Sequence, residues 1–120
     1  AEDILLFQSQ ALKAGHEVVR YEYFDQETLC STILCDFTEK ILRVKNHTDQ
    51  ILKTAFGRQE GPTWDDFIEF LEERCVPKSR ENINILLKEM GLTEYDPIQI
   101  VEKTQGRMAE DAQWLKITRL

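Results

Sequence analysis

Long apolar runs are missing from this sequence. The longest uncharged stretches, Ile4 to Leu12 and Thr28 to Cys35, are far too short to span a bilayer, so no transmembrane helix is expected. The chain opens on an acidic Ala1-Glu2-Asp3 before a short apolar run, whereas a secretory signal needs a basic start and a longer apolar region. Cysteine is scarce and odd in number: Cys30, Cys35 and Cys75 include no CxxC pair, which argues against a disulfide framework and for reduced thiols in the cytoplasm. Histidine is scarcer still. His16 and His47 do not lie at ligand spacing from those thiols, so no zinc site, and no metal or cofactor of any kind, is expected. The sequence also lacks GxxxxGK followed by Ser or Thr, GxGxxG, HExxH and GxSxG, which removes the usual phosphate-cradling loops, zinc-hydrolase helices and nucleophile elbows.

Positive charge is in deficit. With 22 acidic against 15 basic side chains the net charge is −7, which disfavours direct binding to phosphate backbones or to an anionic membrane and favours a protein partner with a basic surface. Apolar residues make up 42% of the chain and charged residues 31%, an ordinary globular balance, and 120 residues suffice for one hydrophobic core. A single domain over residues 1–120 is therefore expected.

Composition changes near Gly57. Residues 1–56 are rich in Val, Ile, Thr, Tyr and Phe, whereas 57–120 carry helical periodicity with start and stop signals. The expected fold is α+β, an N-terminal antiparallel β-meander followed by three short helices packed on it. In the first half, strands are expected at Ile4 to Gln8, Val18 to Phe24, Ser31 to Phe37 and Lys40 to Lys45, with Val19, Tyr21 and Tyr23 sharing one face. An exposed edge of such a meander offers a place for a second copy to pair.

In the second half, Thr63 and Asp66 form a capping box for a helix from Trp64, whose stripe is Trp64, Phe67, Ile68 and Leu71 and which Pro77 stops. Ser79 is expected to cap a second helix striped by Ile83, Leu86, Leu87 and Met90 and closed by Gly91. Asp96-Pro97 opens a third, to about Thr104. Ala109 to Leu120 fits either a closing helix or a strand returning to the sheet.

Function is expected to rest on charge. Glu60, Asp65, Asp66, Glu69, Glu72 and Glu73 have no basic residue among them, and on a helix they lie away from the apolar stripe. The plainer reading is a solvated surface; the sharper one is a docking face for a basic partner. Arg74, Lys78 and Arg80 cluster around Pro77 and form a second candidate contact together with Arg107. Inward pairing with Glu72, Glu73 or Glu81 is the plainer alternative for that cluster. Glu110-Asp111 resembles a Mg²⁺ or acid–base pair in residue type only, since adjacent residues point apart and no third carboxylate supports them. No nucleophile constellation stands out, so no catalytic residue is assigned.

Arg74-Cys75-Val76-Pro77-Lys78-Ser79-Arg80, then a helix ending at Gly91, then Gly106 followed by Asp111 and Trp114, carry a family likeness. This pattern resembles a segment in the non-catalytic N-terminal part of HipA-type toxin kinases, where Arg-x-x-Pro-x-Ser-Arg leads a helix and a later Gly precedes Asp-x-x-Trp. Lys103 to Asp111 is also similar to a stretch of short Firmicutes proteins, pointing to mobile elements. What the resemblance implies is a free-standing, antitoxin-like accessory module that regulates a partner. An inhibitor of anti-CRISPR type, its carboxylates imitating a nucleic-acid backbone, is the alternative, and a small metal-dependent enzyme is third.

Overall fold

The computed structural model describes residues 4–50, 54–57, 61–108 and 111–120. Helix α1 (Ile4–Lys13) leads into the strands β1 (Val18–Asp25), β2 (Thr28–Asp36) and β3 (Ile41–Asn46). Helices α2 (Trp64–Glu73), α3 (Ile83–Glu89) and α4 (Pro97–Thr104) follow, and β4 (Gln113–Arg119) closes the order. The four strands form one antiparallel sheet in the order β3-β2-β1-β4. The fold is therefore α+β with a β1–β2–β3 meander, but the strands-then-helices order is not what the molecule adopts. A helix comes first, and a fourth strand returns after the helices to pair with β1.

Two local expectations need correction. Ile4 to Gln8 belongs to α1 and not to a strand; Ala11 is the fully buried residue of that helix, and Leu5 and Leu6 are exposed. Ser79 does not cap α3, which begins four residues later behind Asn82, a left-handed residue (φ 62°) whose side chain makes no cap bond. Of the ambiguous tail, Gln113–Arg119 forms β4, with Leu115 wholly buried between the more exposed Trp114 and Lys116, and Ala109 and Glu110 lie outside the described residues. The α2 capping box forms as expected: the Thr63 hydroxyl accepts the Asp66 N–H at 3.2 Å, and Asp66 accepts the Thr63 N–H at 2.8 Å. Asp96 and Pro97 open α4 in the same expected way, the Asp96 carboxylate accepting the Ile98 N–H.

One face of the sheet carries Val19, Tyr21 and Tyr23 from β1, Ile33 and Cys35 from β2, Leu42 from β3 and Leu115 from β4. Against it pack Phe67, Phe70 and Leu71 of α2, Leu87 of α3, and Ile100 and Val101 of α4, so one apolar cluster draws on both halves of the chain. Helix α1 lies on the opposite face, where Ala11, Val18 and Leu34 are buried and the Arg43 guanidinium sits 4.8 Å from the centre of the Phe7 ring.

Inside the core, Tyr21 is fully buried, stacked edge-on against Phe67, and its hydroxyl has no hydrogen-bond partner among the described residues. Burial pushes that phenol upward. An unpaired buried hydroxyl costs roughly 1–3 kcal/mol. Tyr21→Phe is therefore expected to raise the free energy of unfolding by about 1 kcal/mol, read as a higher urea midpoint at unchanged slope. A lower midpoint would show that the hydroxyl has a partner in solution.

Candidate functional site

Helix α2 sorts its side chains sharply. Phe67, Phe70 and Leu71 face the core, while Asp65, Glu69, Glu72 and Glu73, at spacings of four, seven and eight, share the opposite face and are exposed. None of those four carboxylates has an ion-pair partner among the described residues. They span about 12 Å of helix, at 1.5 Å per residue. Asp66 borders the same face but is committed to the capping box, so it shapes the helix start and is not a free contact. Glu60 lies outside the described residues. Beside the carboxylates, Phe56 leans on Phe70 with ring centres 5.4 Å apart, and a shallow hollow lined by Asp66, Glu69 and Glu73 opens there.

The basic candidates divide. Arg74 is buried (6% exposed) and does not pair with Glu72, Glu73 or Glu81. Its Nη1 and Nη2 donate to the two oxygens of Asp111 at 2.8 and 3.0 Å, its Nε donates to the Gly106 carbonyl at 2.9 Å, and Nη2 also reaches the Gln113 carbonyl at 2.8 Å. The guanidinium further lies 5.7 Å from the centre of the Tyr23 ring. This is a clamp joining the end of α2 to the connection between α4 and β4, and it withdraws Arg74 from any docking surface. The clamp also gives Asp111 a structural partner. Arg74 holds the Asp111 carboxyl below the usual carboxylate range, and the Gln113 N–H adds to that effect. Glu110 lies outside the described residues, and among those described no group of three or more His, Cys, Asp or Glu is placed to hold a metal ion.

Gly106 belongs to the same clamp. Its φ of +64° suits glycine, and a Cβ there would come within 3.1 Å of Leu115 Cδ1. Trp114 is stacked on Phe24 (4.7 Å, 13°), carries the Arg107 guanidinium on its ring at 4.8 Å, and donates its indole N–H to the Gln26 carbonyl. Arg74, Gly106, Asp111 and Trp114, four of the residues that carry the family likeness, thus have structural duties that account for their spacing.

Arg80 and Arg107 are exposed and, with Arg74, border one cavity of about 350 Å³ between α3, α4 and the loops that flank them. Lys78 is exposed in the α2–α3 connection but does not line that cavity.

A pairing not signalled by the sequence lies at the other end of the sheet. Asp36, 2% exposed, accepts the His16 Nδ1–H at 2.6 Å and the N–H groups of Thr38 and Glu39 at 3.0 and 3.1 Å. The other His16 nitrogen is 3.8 Å from Glu39 Oε1. A small cavity adjoins the pair, but no Ser, Thr or Cys lines it among the described residues, so the histidine ties the α1–β1 loop to the β2–β3 turn without a nucleophile to activate. The thiols offer none either: Cys30, Cys35 and Cys75 are buried, and burial raises Cys35 well above its ordinary value and Cys75 to about 12.

Comparison with family models, with curated proteins and with solved structures gives no match. No helix among the described residues is long and apolar enough to cross a membrane.

Proposed function

We propose that this chain is a non-catalytic, accessory or antitoxin-like module that regulates a macromolecular partner by docking the carboxylate face of α2 on a basic protein surface. One observation carries the reading: four exposed carboxylates without ion-pair partners among the described residues sit on one face of a helix whose other face is locked into the core. The helix backbone that carries them is fixed by the core before binding, so docking need not order the chain, and the charge of the face steers a basic partner toward it. The likeness of residues 74–114 to an accessory region of toxin kinases supports a regulatory role, and three of its residues, Arg74, Gly106 and Asp111, belong to the clamp.

The test is affinity capture with the parent chain and with a variant carrying Asp65→Lys, Glu69→Lys, Glu72→Lys and Glu73→Lys, Asp66 being kept because it caps the helix. A basic partner is expected to bind the parent, to be released by raised salt, and to bind the variant at least about tenfold more weakly, the scale of 1.4 kcal/mol. Equal binding by both chains, with helicity preserved, would exclude the α2 face. Displacement of the captured partner by a DNA duplex would mark its surface as a nucleic-acid channel, the arrangement in which the carboxylates imitate phosphates.

A further inference from the structure

The chain is acidic overall, yet among the described residues the cavity between α3 and α4 is lined by three arginines and by no Asp or Glu. Its walls are apolar, with Val76, Pro77, Leu86, Met90, Ile100 and Met108 facing one another across about 350 Å³. That volume is near the lower end of the roughly 300–1,000 Å³ usual for small-molecule sites.

The arginines differ in availability. Arg74 lines the cavity but is held by Asp111, whereas, among the described residues, Arg80 has no ion-pair partner and Arg107 rests on Trp114 and Gln105 without a carboxylate. Two exposed arginines lining a largely apolar pocket match a ligand with one charged end and one apolar end. Each guanidinium presents a planar fork that fits the two oxygens of a carboxylate, and methionine walls adapt to an alkyl chain. A bare anion would leave the apolar walls wet, and an uncharged hydrocarbon would leave the arginines without a counter-charge.

We propose that this cavity binds a small amphipathic carboxylate, its alkyl or aryl body between α3 and α4 and its charged end between Arg80 and Arg107. The site is separate from the α2 face, so it stands or falls independently of the docking proposal.

The probe is octanoate, titrated into the full chain while backbone amide signals are followed by NMR. Signals of residues 75–77, 86–90 and 104–108 are expected to shift together, with a dissociation constant on the order of 1 mM. The double variant Arg80→Glu and Arg107→Glu, both at exposed positions, is expected to bind at least about tenfold more weakly with its spectrum otherwise preserved. Met90→Trp, which fills the cavity, serves as a second variant and is expected to abolish the shifts. Unmoved signals at saturating octanoate would overturn the proposal, as would parental binding by the double variant. Inorganic phosphate binding as tightly as octanoate would reduce the cavity to an anion contact, and ligand-free, concentration-dependent shifts of the same signals would give it to a second copy of the chain; either result also overturns the proposal.

Discussion

Arg74→Ala is expected to lower the free energy of unfolding by about 3 kcal/mol, enough to remove a large share of the stability of a domain this size. The substitution takes away more than one ion pair. It strands the Gly106 and Gln113 carbonyls, which Arg74 serves at 2.9 and 2.8 Å, and leaves the Asp111 carboxylate without its bidentate partner. Because the Asp111 side chain is 36% exposed, water softens that last loss, which is why the expectation sits at the low end of the range for broken buried pairs. Asp111→Asn keeps one acceptor and leaves the two carbonyl contacts of Arg74 in place, but it removes the counter-charge of a buried guanidinium, and should cost about 2 kcal/mol. Arg74→Lys should fall between these, since a single ammonium cannot reproduce the planar fork.

Urea unfolding of the three variants checks this order, and pH supplies a second reading. Asp111 has a folded pKa below its unfolded value of about 4. Its contribution is therefore complete above that unfolded value and is lost as pH falls through the lower, folded one. Arg74→Ala should flatten this part of the acid limb. An unchanged acid limb in that variant would show that Arg74 does not set the Asp111 titration.

Phe67→Ala is expected to cost about 4 kcal/mol, the larger of the two effects. Phe67 is fully buried and its ring is met on several sides: Tyr21 edge-on at 5.2 Å, Trp64 at 5.0 Å and Phe37 at 6.3 Å. Truncation removes the transfer free energy of the ring and leaves a cavity that these rigid aromatic neighbours cannot collapse to fill. Phe56, by contrast, is only partly buried against Phe70, so Phe56→Ala should cost markedly less. A urea midpoint for Phe67→Ala close to that of the parent would mean that the α2 seam repacks freely.

Where the sequence spoke clearly, local chemistry coincided with tertiary placement. Val19, Tyr21 and Tyr23 alternate onto the buried face, Thr63 and Asp66 close the capping box, and Asp96-Pro97 starts α4. Helix α1 is not signalled by the sequence because the run Ile4-Leu5-Leu6-Phe7 has no clean helical stripe: Leu5 and Leu6 are exposed, and little of the helix is fully buried. Phe70 escaped the α2 stripe although it lies fully in the core beside Tyr23. The Arg74–Asp111 clamp was illegible for a different reason. Its partners are 37 positions apart, several acids lie nearer in sequence, and only the return of β4 to β1 brings the right one into reach. At the candidate site, helical spacing gave the α2 carboxylate face directly, whereas the convergence of Arg80 and Arg107 on one cavity depends on how α3 and α4 sit on the sheet.

The pairing of Val19 with Arg119 across β1 and β4 has a kinetic meaning, since about a hundred residues of chain separate the two partners. Joining them demands closure of a long loop before any contact of the fourth strand can compensate, whereas the β1–β2–β3 hairpins need only short connections. Assembly should therefore run from the meander outward. During synthesis the second edge of β1 waits for a segment not yet made, and in that interval it is open to capture by a neighbouring nascent chain.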